Sequence, residues 1–159
     1  MEPRKVSSHG NPRLPEAEME FRHYIPLQIR FNDIDMLGHV NNSVYLTFFD
    51  MGKTRYFEAV VGKIDFSLIP LVVVNVNCDM FEPTYFDDDV EMMTRTVKIG
   101  KHSITMEQII VDAVSGHIKA RCTTVMAGFD TRRRCGAELE QCYIDAMEAF
   151  EGRPLRNIL

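Results

Sequence analysis

Arg30-Phe31-Asn32-Asp33-Ile34-Asp35-Met36-Leu37-Gly38-His39-Val40-Asn41-Asn42-Ser43-Val44-Tyr45 is the stretch on which the fold turns. It is polar and turn-rich, yet apolar segments crowd it on both sides. Asp33, Asp35, Gly38, His39, Asn41 and Asn42 fall close together. A polar loop that opens an apolar helix can carry function as well as redirect the chain.

Just upstream, from His23, the chain alternates. Ile25, Leu27, Ile29 and Phe31 fall on one face, and Tyr24, Pro26, Gln28 and Arg30 on the other. That is the pattern of a half-buried strand, and Pro26 points to its start or to a sheet edge. Downstream, Ser43 to about Val61 predicts a helix. Val44, Tyr45, Leu46, Phe48, Phe49, Met51, Phe57, Val60 and Val61 wrap most of its circumference, which predicts burial on nearly all sides. Asn41, Asn42 and Ser43 are all good N-caps, and Gly62 suits the position after the helix end.

Further along, Leu71–Met80 alternates again, with Val72, Val74, Val76, Cys78 and Met80 expected on one side. Three more strand-like runs follow near 90–99, 103–111 and 118–129. Gly100-Lys101 and Ser115-Gly116 mark turns between them, as in consecutive antiparallel hairpins. A last amphipathic helix is expected over about 137–150, with Leu139, Tyr143, Met147 and Phe150 in one stripe. Residues 1–20, which carry Pro3, Pro12 and Pro15, read as a flexible arm, and 21–159 as a single domain. The pattern is α+β: an antiparallel sheet of about five strands curled around a long central helix, with a C-terminal helix. One sheet cannot cover a helix that is apolar on every side, so a second copy of the chain is expected to bury the rest, as a homodimer or homotetramer.

The 159 residues suit one domain with a sizeable core. A net charge of −5 argues against nucleic acid as the main partner. No apolar run approaches the roughly 20 residues that span a bilayer, and the N-terminus lacks a secretory apolar stretch. A cytoplasmic protein with no membrane partner is expected. Cys78, Cys122, Cys135 and Cys142 form no C-x-x-C pair and no zinc spacing, so they read as reduced small hydrophobes and no metal site is expected.

The element order and the focal loop together resemble the hotdog fold, and within it the 4-hydroxybenzoyl-CoA thioesterase-like family of acyl-CoA thioesterases. That family's pattern runs from an aromatic strand end through an acidic residue, Asp, two residues, Gly and an aromatic or His to a helix start rich in Asn and Tyr. Arg30 to Asn42, with Tyr45 following, is similar to it. Asp79-Met80-Phe81-Glu82-Pro83, Gly100-Lys101-His102-Ser103 and Ala120–Val125 resemble its later landmarks, so the likeness covers roughly residues 22–134.

The resemblance implies hydrolysis of an acyl-CoA thioester to the acid and free CoA. Asp35 would act as nucleophile or general base, and the backbone N–H of Asn42 would polarise the carbonyl. A thioester carbonyl is already electrophilic, so one carboxylate and an oxyanion site can suffice. No cofactor is implied, coenzyme A being part of the substrate. His39 fits either a working role or a structural one. Related carrier-protein thioesterases place Asn where this chain has Leu37, which weakens the transfer of a full Asp-Asn-His set. Asn41, Tyr45, Lys101 and Ser103 are the expected substrate-binding residues, Asn41 doubling as a cap. Lys98, Lys101 and Arg132–Arg134 are candidate partners for the phosphates of coenzyme A. From the residues alone, Asp35 also fits a turn-stabilising role. A carrier-protein thioesterase and a non-catalytic acyl-thioester binder are the alternative readings.

Overall fold

The computed structural model describes residues 1–8, 13–14, 18–62 and 70–156. In chain order the elements are β1 (Arg4–Ser7), β2 (Glu18–Phe21), β3 (His23–Leu27), a 3-10 turn (Phe31–Asp33) and α1 (Asn42–Val61). Then come β4 (Leu71–Met80), β5 (Val90–Ile99), β6 (Ser103–Asp112), β7 (Ile118–Asp130), β8 (Cys135–Gly136) and α2 (Gln141–Glu151).

Strands β3, β5, β6, β7 and β4 pair in that order, all antiparallel, and β8 adds to the end of β7. The sheet curls around α1, which is the hotdog arrangement. The period-2 alternation splits the sheet into two faces. Val90, Met92, Ile110, Ala120 and Cys122 point inward and pack with Tyr45, Phe48 and Phe49 of α1. Helix α1 starts where Asn41 accepts a hydrogen bond from Ser43 N at 2.9 Å. It stops at Gly62, whose φ of 78° is open to glycine.

Within one chain the burial of α1 is one-sided. Only Tyr45, Phe48, Phe49, Gly52, Lys53 and Tyr56 are buried, one stripe at helical spacing. Leu46 and Met51 stand exposed. One chain brings one sheet against α1, and that sheet covers one face.

Strand β4 also departs from simple alternation. A bulge between Val73 and Asn75 shifts its register against β7. Val73 pairs with Met126, Val76 with Thr124, Cys78 with Cys122 and Met80 with Ala120. Val72 and Val74 therefore do not share a face with Val76, as unbroken alternation would require.

The described part of the N-terminal segment is not a loose arm. β1 and β2 pair in register, Arg4 with Phe21 through Ser7 with Glu18. They lay Val6, Met19 and Phe21, with Leu14, on the outer face against Met93, Ile109, Val111 and Ile118. The apolar spacing in so short and polar a segment was too sparse to read as strand. Residues 9–12 and 15–17, with Pro12 and Pro15, lie outside the described residues.

Helix α2 begins four residues later than its apolar stripe predicts. Ala137 N donates to Gly128 O and Leu139 N to Lys101 O, so this backbone is committed to the sheet before the helix starts. Ile144 and Met147 then bury against Tyr56, Ile99, Ile104 and Met106.

Candidate active site

The focal loop is built on a double turn. Asp33 is buried, and Arg30 holds its carboxylate at both oxygens. The Arg30 backbone N–H donates to Oδ2 at 2.7 Å, its Nε to Oδ2 at 3.2 Å and its Nη2 to Oδ1 at 2.9 Å. Burial alone would push the Asp33 carboxyl up. The hydrogen bonds and charge of Arg30 outweigh it and hold the group below the usual carboxylate range. Asn41 N then donates to Asp33 O at 2.8 Å, closing the loop at the helix start.

Asp35 sits at the tip. Its Oδ1 accepts from Leu37 N at 2.8 Å, an Asx turn. Its backbone pairs with His39, Asp35 N donating to His39 O at 3.0 Å, and Gly38 N donates to Asp35 O at 3.0 Å. The chain reverses through Gly38 at φ 82°, where a side chain would be strained. The second oxygen, Oδ2, lies 3.7 Å from His39 Nδ1, and both side chains are part-exposed. His39 Nδ1 also lies 3.4 Å from Val40 O.

The helix start supplies donors. Ser43 N is taken by Asn41 Oδ1, and Val44 N by Asn41 O. Among the described residues, no acceptor takes the Asn42 N–H. The first amides of a helix lack partners inside it and sit at its positive end. The site therefore presents a carboxylate, an imidazole and a free helix-start amide within eight residues of chain.

A second segment braces this loop and was missed in the sequence. Val40 N donates to Thr84 O at 2.8 Å, and His39 bridges to Tyr85. Tyr45, expected at the substrate, is buried, and its hydroxyl donates to Thr84 Oγ1 at 2.9 Å. Asp88 accepts from Tyr85 N and from the buried Lys119 ammonium, each at 2.8 Å. The acidic run Asp87-Asp88-Asp89 after Pro83 was the available signal, and it reads as a strand breaker until Lys119 is seen beside it.

Lys101 and Ser103 are not at this loop within one chain. Ser103 begins β6 and Lys101 lies in the turn before it, at the far end of the sheet, where Gly100 N donates to Ser103 O at 2.7 Å and Lys101 pairs with Glu138 at 2.9 Å. The ten residues of β5 separate the two ends, about 30 Å at 3.3 Å per residue. Arg132 and Arg133, whose backbone N–H groups are capped by Asp130, lie at that same far end. Among the described residues no three His, Cys, Asp or Glu side chains converge on a metal position. No described helix is long and apolar enough to cross a membrane.

The family model of the thioesterase-like superfamily matches residues 29–150, which include the loop, α1 and the whole main sheet apart from β3. The chain belongs to the thioesterase-like superfamily. A thioesterase from Thermus thermophilus, solved in complex with coenzyme A and Zn, is 30% identical to it. The two superpose with a TM-score of 0.77 over 85% of this chain and 98% of that one. The PA5185 protein of Pseudomonas aeruginosa is 27% identical, with a TM-score of 0.73 over 86% and 95% of the two chains. A substituted form of 4-hydroxybenzoyl CoA thioesterase, complexed with 4-hydroxybenzoyl CoA, shares the fold at 17% identity. Its TM-score is 0.70 over 79% of this chain and 97% of that one. Among curated proteins, YsmA of Bacillus subtilis is 22% identical over 105 residues, 66% of this chain and 71% of its own.

Proposed function

We propose that this superfamily member is an acyl-CoA thioesterase, that Asp35 is its catalytic carboxylate, and that it works as a homodimer. The observation that carries the assignment is the division between the two loop carboxylates. Arg30 occupies both oxygens of Asp33 inside the loop, whereas Asp35 commits one oxygen to Leu37 N and leaves the other facing His39.

The thioester carbonyl carbon sits before Asp35, with its oxygen toward the Asn42 N–H. Asp35 attacks the carbonyl directly, or takes the proton of a water that does. The oxyanion that forms is held by the amide and by the positive end of α1. Collapse breaks the C–S bond and releases CoA as the thiolate, which is protonated on leaving; where Asp35 is the nucleophile, water then hydrolyses the acyl–Asp35 anhydride, giving the acid and restoring the carboxylate. His39 orients the carboxylate or the water. Asn41 holds the helix start as its cap, and Tyr45 holds Thr84 behind the loop.

The dimer reading rests on β4. This is a ten-residue edge strand whose Val72, Val73, Val74, Val76 and Met80 are all exposed. A long apolar edge with unpaired backbone groups invites another strand. Two copies of β4 pairing antiparallel about a two-fold axis would extend the sheet and bring a second sheet to the open face of α1. The same axis would turn the partner's Lys101 and Ser103 end toward the Asp35 end. The partner's basic residues would then meet the phosphates of coenzyme A, which no single chain can arrange.

The test is a panel of acyl-CoA thioesters and acyl carrier protein thioesters, followed by loss of thioester absorbance. Asp35→Ala should lower kcat by roughly 10²–10⁴-fold, the usual contribution of a positioned acid or base, with an unchanged melting temperature. Full activity in Asp35→Ala overturns the assignment. Tight binding of a thioester without cleavage by the wild-type protein would mark a binder instead, and cleavage confined to carrier-protein thioesters would move the substrate.

A further inference from the structure

Cys78 on β4 and Cys122 on β7 are directly opposed partners in the antiparallel ladder. Their Sγ atoms lie 3.0 Å apart, the Cys78 thiol donating to Cys122. Directly opposed residues have Cα atoms about 4.5–5.5 Å apart, inside the span of about 4.4–6.8 Å that a disulfide bridges. Both side chains point inward, toward α1. Cys122 is buried, and Cys78 is half-exposed. Lys53 of α1 approaches from the other side, its buried ammonium paired with Asp50 at 2.9 Å and its charge favouring the Cys78 thiolate. Cys135 and Cys142 are exposed and belong to no such pair.

We propose that Cys78 and Cys122 are a modification site: they form a reversible intrachain disulfide when the protein meets a peroxide, fastening the edge strand β4 to β7. The Cys78 thiolate attacks one peroxide oxygen, the O–O bond breaks, and hydroxide leaves, giving a sulfenic acid on Cys78. The Cys122 thiol then displaces the sulfenic oxygen as water, and the S–S bond forms. Two thiols lose two protons and two electrons, and one hydrogen peroxide becomes two waters. A dithiol reductant reverses the bond by exchange.

Burial, the bond to Cys122 and the nearby Asp79 push the Cys78 thiol up to about 12, against the pull of Lys53. The thiolate is therefore scarce at neutral pH. The pair responds slowly there and faster as pH rises. Nothing in this reaction depends on thioester hydrolysis. It does bear on how hydrolysis is read, because the same two thiols would attack an aromatic disulfide reagent used to trap released CoA.

The experiment exposes the full chain, carrying Cys135→Ser and Cys142→Ser, to a small excess of hydrogen peroxide, with the wild-type chain in parallel. Non-reducing peptide mapping should join the Cys78 and Cys122 peptides, and the intact mass should fall by two hydrogens. The closed loop spans 44 residues, so restraint of the unfolded chain should raise the melting temperature by several degrees. Dithiothreitol should reverse all three changes. Cys122→Ala on the same background should leave a sulfenic acid on Cys78 that dimedone traps, with no rise in melting temperature. Two freely alkylatable thiols after peroxide, a bond between chains, or over-oxidised Cys78 without a link would each overturn the proposal.

Discussion

The Gln108 side-chain amide donates a 2.9 Å hydrogen bond to the main-chain carbonyl of Phe49, tying the middle of α1 to the middle of β6. The same amide lies 3.2 Å from Thr94 Oγ1. This contact exists because residue 52 has no side chain. A Cβ on Gly52 would sit 2.6 Å from Gln108 Nε2 and 2.8 Å from the Met92 side chain.

Gly52→Ala is therefore expected to destabilise the protein although it improves helix propensity. The propensity gain is roughly 0.5–1 kcal/mol. Displacing a buried, hydrogen-bonded amide and overpacking Met92 costs about 1–3 kcal/mol. The net loss should show as a lower urea midpoint with an unchanged m-value. A raised midpoint would mean that the sheet yields more easily than this packing implies.

Stability should fall as pH drops from neutral, and His23 is the cause. It is buried against the edge of the Tyr56 ring, and burial lowers its pKa from 6.5 to about 4 against a hydrogen bond at Arg55 that raises it. Between those two values the unfolded chain binds more protons than the folded one, so stability rises with pH. The contribution is complete above about pH 6.5 and lost toward pH 4, on the order of 2–3 kcal/mol. Glu151 works in the opposite sense. Burial raises its pKa, so its share declines as pH rises above the ordinary carboxylate value. Urea titrations from pH 4.5 to 7 should show the rise in the wild type, a flatter profile in His23→Phe and a steeper one in Glu151→Gln.

Val74→Lys addresses the proposed dimer. Val74 is 58% exposed at the bulge of β4, so a lysine there leaves the monomer's packing intact while placing a charge on the edge. Size-exclusion chromatography with light scattering should give a monomer, and thioester hydrolysis should fall at least tenfold if the proposed dimer is what brings a second chain's basic end to the Asp35 loop. A dimer of unchanged strength would remove β4 as the interface.

Much of this fold was legible because the sequence patterns are strong and local. Asn41 and Gly62 frame α1, and alternation marks β5, β6 and β7. The apolar circumference of α1 exceeds what the sheet of one chain covers. Apolar composition tells how much surface needs burying, but a single chain shows only what its own sheet can reach. The β1–β2 hairpin escaped notice because its stability is long-range: Phe21 gains its burial from Met93 and Ile109, about 70 and 90 residues away by number. In the site, the loop itself was readable. What spacing did not show is that the Arg30 guanidinium folds back onto both oxygens of Asp33. Thr84 and Lys119 were invisible as braces, since nothing near either residue in sequence points to the loop.

The β1–β2 hairpin also determines where the chain can be extended. It lies on the outer face beside β5, where Arg4 pairs with Glu91 and stacks over Tyr24. That face is the side of the sheet away from α1, and Arg4 sits at the Val90 end of β5, where the Asp35 loop also lies. A fluorophore or affinity handle joined ahead of Arg4 would thus report on the molecule from the side of the sheet that does not pack on α1. The same handle joined near Leu71 would sit on the edge strand itself.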